Sequence, residues 1–182
     1  IHSLDKPECI AIFKSLGRFG ESKHLFTDLD LVGYKKQRKG ITKLFEELGF
    51  KPDIAINTLF GDRRLIYYHP QDKYHVDVFL DKLEFSHDIL FGNDPKSGRL
   101  SLDYPTITLA DIVLEKLQIH EINLKDVVDL IVLFLGHEIG EKNEKDVVDG
   151  EYIAKILSDD WGFWYDAMMN LDKVKSMAKE FR

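Results

Sequence analysis

Asp28-Leu29-Asp30-Leu31-Val32-Gly33 and His75-Val76-Asp77-Val78-Phe79 are the two stretches on which the reading of this chain turns. The apolar alternation of Leu29 and Leu31, followed by Val32, predicts a strand over 28–34, and the second stretch has the same strand-like character. Asp28 and Asp30 stand at i and i+2, so their side chains leave the same face of that strand. If the stretch carrying Asp77 is a neighbouring strand, three carboxylates meet without being close in sequence. Clustered carboxylates repel one another and are costly to desolvate, so a fold that gathers three is expected to balance them with a cation. Oxygen-only donors select a hard ion, most naturally Mg²⁺, which keeps several waters and holds substrate phosphates. Two such ions can activate an attacking hydroxyl and stabilise a departing pyrophosphate.

Outward from this centre, residues 7–17 place Ile10, Ile12, Phe13 and Leu16 near helical spacing, with Pro7 in the first turn and Gly17 as a stop. Gly17 to Thr27 reads as a loop. Residues 35–48 carry Ile41, Leu44, Phe45 and Leu48 at 3.6-residue spacing and end at Gly49, an amphipathic helix with a glycine terminator. From Ile54 to Leu83 the pattern turns β-rich and predicts an antiparallel meander with strands at 54–60, 64–69 and 74–80, separated by Gly61-Asp62 and Pro70-Gln71-Asp72. Residues 86–105 read as connecting loop with a short strand near Leu90 or Leu100. Beyond them the chain reads as helical. Thr108 caps a helix over 109–121, with Asp111 as the acidic half of a capping box, and a strongly apolar helix runs from Asn123 or Leu124 to about Leu135. Asp149 to Leu157 and Trp161 to Phe181 give one or two more. The fold class expected is α+β: a small mixed or antiparallel sheet with flanking helices over residues 1–105, then a helical region over 106–182 packed on that core.

Composition narrows the function. At 182 residues, with 44% hydrophobic and 31% charged, the chain has enough apolar material for a buried core and does not read as disordered. A formal net charge of −7 argues against broad attraction to a nucleic-acid backbone, so the basic stretch Lys35, Lys36, Arg38, Lys39, Lys43 and the Arg63-Arg64 pair read as solvated surface or a local patch. Cys9 is the only cysteine, which excludes an internal disulfide and a multi-cysteine zinc site, and it reads as a small buried side chain. The longest apolar runs, such as Leu130–Leu135, are far shorter than a bilayer span, and no signal pattern opens the chain. A cytoplasmic location follows by elimination. The seven histidines show no metal-ligand spacing. Trp161-Gly162-Phe163-Trp164-Tyr165 can stack a base, but packing among the C-terminal helices is the plainer expectation. Lys-Asp-Val-Val-Asp occurs at 125–129 and 145–149, and with no repeat around it helix-start chemistry explains both copies.

Thr27 to Gly33, the helix ending at Leu48-Gly49-Phe50, and His75 to Phe79 together resemble the core of DNA polymerase β-like nucleotidyltransferases. The resemblance implies two Mg²⁺ ions on Asp28, Asp30 and Asp77 and transfer of a nucleotidyl group from a nucleoside triphosphate such as ATP. Leu109-Ala110-Asp111 through Lys116-Leu117-Gln118, and Lys125 to Leu130, resemble the helical region of AbiEii-type nucleotidyltransferases, which include toxins of toxin-antitoxin pairs. It implies functional roles for Lys116 and Asp126, with Asp129 competing for the second. Read without the resemblance, Lys116 is a lysine snorkelling from an apolar helix, and Asp126 and Asp129 favour a helix N-terminus. The family also places a Gly-Gly or Gly-Ser turn before Asp-x-Asp to hold triphosphate. Here the nearest match is Gly20 and Ser22, interrupted by Glu21, or else the turn precedes Ile1. The resemblance spans about residues 20–135. The expectation is a Mg²⁺-dependent nucleotidyltransferase with an RNA, protein or small-molecule acceptor, its nucleotide lying between sheet and helices. The competing expectation is a non-catalytic protein of this fold, one half of a toxin-antitoxin or regulatory pair. A two-metal phosphohydrolase is the third.

Overall fold

The computed structural model describes residues 7–15, 28–140 and 146–180. It is a mixed α/β chain with small sheets and flanking helices, divided into two compact units. One comprises 84–89, 106–182 and the segment before residue 22, as far as these are described; the other comprises 22–83 and 90–105, described from Asp28.

The second unit is built on a four-stranded sheet in the order β1 (Asp28–Gly33), β4 (His75–Leu80), β3 (Arg64–Tyr68), β2 (Lys51–Pro52). β1 runs parallel to β4, while β4 with β3 and β3 with β2 are antiparallel. The sheet is therefore mixed. Leu65, Tyr67, Val76, Val78 and Leu80 share one face and bury against Phe45, with Ile41 and Phe50 partly buried beside them. Phe45 and Ile41 belong to α2 (Arg38–Glu47), which follows a single 3-10 turn at Lys35–Gln37. Its end explains the predicted glycine stop. Gly49 takes φ +77°, its N–H donates to Glu46 O at 3.0 Å, and the Phe50 N–H donates to Phe45 O at 2.9 Å. That double closure with a ring contact, Phe50 edge-on to Phe45 at 5.2 Å, is the Schellman arrangement, and a residue with a Cβ is strained at its left-handed position.

The expected antiparallel succession forms as β2, β3 and β4, but its first strand is not 54–60. Residues 54–59 are helix α3 (Ile54–Leu59), and the strand on that edge is the two-residue β2. Asp53 decides it: its carboxylate accepts from Ile56 N at 2.9 Å, capping a helix where the run Ile-Ala-Ile had read as β. The helix then serves the sheet. Asn57 donates from Nδ2 to Ile66 O at 3.0 Å and accepts from Ile66 N at 2.7 Å, so its amide answers a β3 peptide beyond the reach of β2.

A two-stranded sheet of β5 (Lys82–Glu84) and β6 (Asp88–Leu90) lies along the stretch where the chain leaves one unit and returns. In the helical unit, α4 (Leu109–Leu117) starts at Thr108, whose hydroxyl accepts from Asp111 N and donates to Asp111 Oδ2 at 2.7 Å. α4 ends earlier than the predicted 121. α5 (Leu124–Gly136) is buried along Val127, Val128, Leu130, Ile131 and Val132, and α1 (Pro7–Ser15) sets Cys9 against Val128 and Val132. α6 (Gly150–Asp159) and α7 (Trp161–Glu180) complete it. Between α5 and α6 the structure adds β7 (Glu138–Gly140), parallel to β8 (Val147–Asp149), which sequence periodicity did not reveal. The repeated pentapeptide thus takes two conformations. Its first copy lies in α5; in its second, Val147–Asp149 is strand, and Asp149 caps α6 by accepting from Tyr152 N.

The aromatic cluster at 161–165 also departs from expectation. Phe163 is buried, but Trp161 is 74% exposed and stacks on Tyr165 at 5.6 Å, and Trp161, Trp164 and Met168 line an apolar groove with one face of α6. Among the described residues no helix is long and apolar enough to cross a membrane.

Phe45 lies flat on Tyr67, with ring centroids 4.2 Å apart and planes 9° from parallel. Phe45→Ala removes that stack and the edge contact with Phe50 together, and is expected to cost about 3–5 kcal/mol, read from urea unfolding.

Candidate functional site

The register of β1 on β4 puts Asp28 beside His75 and Asp30 directly beside Asp77. Partners in one register position of a sheet share a face, so Asp28, Asp30 and Asp77 stand on the same side, opposite the face packed on α2. Asp28 and Asp30 are exposed and Asp77 is 4% exposed. His75 holds Nδ1 3.4 Å from Asp28 Oδ1.

The residue that sequence reading missed is Arg64. On β3, Ile66 is opposite Asp77, which places Arg64 two positions along on the face that carries the carboxylates. Its guanidinium grips Asp77 with both arms: Nε donates to Oδ1 at 2.6 Å and Nη2 donates to Oδ2. The ring of Phe79 lies beneath, 5.4 Å from the guanidinium carbon. The Asp77 hydrogen bonds raise the Arg64 pKa above its ordinary value against the opposing pull of burial, and the Asp77 and Asp30 charges add to the rise. An arginine within a strand, on the same parity as the face of an in-strand aspartate, was the available signal. From sequence the Arg63-Arg64 pair reads as solvated surface or a local patch, whereas the structure pairs Arg64, partly exposed, with the buried Asp77. Of the basic run, Lys35 reaches Asp62 at 3.4 Å, Lys36 reaches Asp94 at 2.7 Å and Lys43 reaches Glu47 at 3.6 Å, all on solvated surface.

Lys116 and Asp126 belong to the helical unit and meet there. Lys116 Nζ donates to Asp126 Oδ1 at 2.6 Å and stands 3.6 Å from Asp129 Oδ2. Asp126 is also the third residue of α5: its N–H donates to Asn123 Oδ1, and Asn123 Nδ2 donates back to Asp126 Oδ2 at 2.6 Å. So Asp126 joins a helix cap to the lysine of the preceding helix. Burial pulls the Lys116 pKa down, but the Asp126 hydrogen bond and the nearby acidic charges outweigh it and hold the pKa above 10.5.

The helical unit contains a second cluster that no spacing announced. His87, in the β5–β6 turn, sets Nε2 2.9 Å from Asp166 Oδ2, and His120 sets Nδ1 2.7 Å from Asp166 Oδ1. His87 also stands 3.6 Å from Asp160 and stacks on Phe163 with planes 2° apart. Burial raises the Asp166 pKa, yet the two histidine hydrogen bonds prevail and keep it below 3.8.

Gly20 and Ser22, expected at the phosphate turn, lie outside the described residues. No group of three or more His, Cys, Asp or Glu is arranged to hold a metal ion among the described residues. The carboxylates of Asp28, Asp30 and Asp77 are hard oxygen donors on one side of β1 and β4, but they share that face with His75 and Arg64. What separates this from a ligand set is that Arg64 engages both oxygens of Asp77. Compared with family models, curated proteins and solved structures, the chain matches none.

Two pH-linked outcomes follow. Lys116 has a raised pKa in the folded state, so its stabilising contribution is complete below pH 10.5 and fades as pH climbs through the raised value. Lys116→Met is expected to cost about 1–3 kcal/mol near neutral pH by leaving Asp126 and Asp129 facing one another, and to flatten the alkaline limb of the stability curve. Asp166 has a lowered pKa, so its contribution holds above 3.8 and is lost as pH falls through the lowered value. Asp166→Asn is expected to flatten the acid limb in thermal melts, and an unchanged acid limb contradicts this assignment.

Proposed function

We propose that the chain is a Mg²⁺-dependent nucleotidyltransferase acting from the face that carries Asp28, Asp30 and Asp77. The observation that supports this most is the parallel register of β1 on β4, which sets Asp30 beside Asp77 with Asp28 one pleat away on the same side. The resemblance of Thr27–Gly33 and His75–Phe79 to the nucleotidyltransferase core agrees with it, and the α2 helix that ends at Gly49 covers the opposite face of the same sheet.

In this reading Asp28 and Asp30 hold the ions from the exposed edge strand, and Asp77 completes the set and accepts the proton of the acceptor hydroxyl. Bound Mg²⁺ supplies charge neutralisation for triphosphate and pyrophosphate oxygens. The edge position of β1 leaves both its aspartates exposed to incoming substrate, while Asp77, nearly buried, is held in one orientation by its neighbours. Its substrate is a nucleoside triphosphate, ATP among the candidates, and its acceptor an RNA, protein or small-molecule hydroxyl. Lys116 and Asp126 are explained as a structural pair within the helical unit, and the proposal does not rest on them.

Asp30→Asn is expected to lower transfer of label from an α-labelled triphosphate by about a hundredfold or more with the melting temperature kept, since Asp30 is exposed. Full transfer by this variant overturns the proposal.

One observation favours a second reading, a non-catalytic component of a toxin-antitoxin or regulatory pair that kept the fold: Arg64 already balances the charge of Asp77. Calorimetry with Mg²⁺ and each triphosphate separates the two. The absence of metal-linked nucleotide binding favours the second.

A further inference from the structure

The aromatic run Trp161-Gly162-Phe163-Trp164-Tyr165 is only partly used by the helical unit. Phe163 goes inward, while on the opposite side of α7 one stripe stays in solvent: Trp161, Trp164, Tyr165 and Met168 in its first half, Lys175 and Lys179 in its second. With 3.6 residues to a turn, that spacing puts all six on one helix face. The apolar half continues into a groove of about 690 Å³ whose other wall is Ile153, Ala154 and Leu157 of α6. Trp161, Trp164, Tyr165 and Met168 are 74%, 44%, 47% and 41% exposed, which leaves roughly 400–500 Å² of aromatic and thioether surface in water, given the 150–250 Å² that an aromatic side chain carries. Trp, Tyr and Met are residue types enriched where proteins meet. Two such patches face to face remove roughly 900 Å² from these four side chains alone, and Ile153, Ala154 and the lysine stems bring the total toward the ~1,200 Å² at which stable interfaces begin.

Charge selects the occupant. Asp159 and Asp160 make the aromatic end of the stripe acidic, and they stand at the C-terminus of α6, whose last turn holds no basic residue and whose carbonyl end is itself negative. That end repels an anionic surface and draws a cationic group. α7 carries such groups at its other end, where Lys173, Lys175 and Lys179 are exposed. Lys175 follows Trp161 by about four turns, about 21 Å along the axis. An antiparallel α7 from a second copy, crossing at Met168, therefore lays its Lys175 beside Trp161 and Asp159, and the first copy's Lys175 does the same in return. Such a contact is isologous, closed by a two-fold axis.

We propose that the α6–α7 groove is the interface of a symmetric dimer of this chain, in which two antiparallel α7 helices cross near Met168 and Lys175 of each copy lies over Trp161 and against Asp159 of the other. The inference is independent of the function proposed above.

The full chain is followed by sedimentation equilibrium from about 1 to 300 µM, a range that brackets the dissociation constant of about 10 µM expected of an interface of this size. Tryptophan emission is the second readout, because both tryptophans of the chain line the groove and association shifts their emission to the blue. Met168→Glu sets two added carboxylates at the axis and is expected to weaken association by about thirtyfold or more, and Trp161→Ala by about tenfold. Both side chains are exposed, so the melting temperatures are expected to stay with that of the unmodified chain; if one variant fails to fold, the other carries the test. Lys175→Glu and Asp159→Lys are each expected to weaken association about fivefold and, combined in one chain, to restore it, because the exchanged charges meet again across the axis. Asp159 is chosen because Asp160 caps α7 by accepting from Phe163 N at 2.9 Å. A monomer at every concentration overturns the inference, whatever else binds the groove. So does a dimer indifferent to Met168→Glu and Trp161→Ala, which uses another face. A dimer that those two variants break and the double exchange does not restore overturns the antiparallel arrangement.

Discussion

The parallel pairing of β1 with β4 is the constraint on which the candidate site depends. It brings an edge strand carrying two aspartates against a central strand carrying a third, and its register determines that all three face one way. A slip of one residue would turn Asp28 and Asp30 to the face where Val76, Val78 and Leu80 pack on α2, an outcome excluded by the cost of burying carboxylates among hydrocarbon. The apolar face thus holds the polar face in register. Parallel pairing also requires a long crossover, and the chain supplies it as α2, β2, α3 and β3.

Charge compensation on that face is local and economical. Asp77, the most enclosed of the three carboxylates, receives both arms of Arg64, and Asp28 on the terminal strand of the sheet has His75 3.4 Å away. The same logic recurs in the helical unit. Lys116 answers Asp126 and Asp129, and His87 with His120 answers Asp166. In each case a buried or half-buried carboxylate has found a basic partner brought from another element. Such pairs select one arrangement of the elements more than they add net stability, because their desolvation offsets most of their attraction.

Much of the architecture was legible. The 3.6-residue spacing of Ile41, Leu44, Phe45 and Leu48, closed by Gly49, gave α2 to within a turn, because amphipathic periodicity and a left-handed glycine are both local properties. Thr108 and Asn123 announced α4 and α5 for the same reason, through hydrogen bonds that span three residues. Ile54–Leu59 reads as strand in the sequence because a short apolar run has no period of its own; the cap at Asp53 and the pairing of Asn57 with Ile66 of β3 make it helix. Val147–Asp149 escaped notice because Lys-Asp-Val-Val-Asp is compatible with helix at 125–129, and only its pairing with β7 makes the second copy a strand.

The sequence by itself determined which segments alternate and which recur at helical spacing, where helices begin and stop, and that Asp28 and Asp30 leave one face together. Each of these is settled by neighbours within a few residues. Only the tertiary structure decided that Asp77 stands beside Asp30, that Arg64 closes on it, and that His87 and His120 converge on Asp166. Those contacts join residues far apart along the chain, and strand register and helix packing bring them together after the local periodicities have been satisfied.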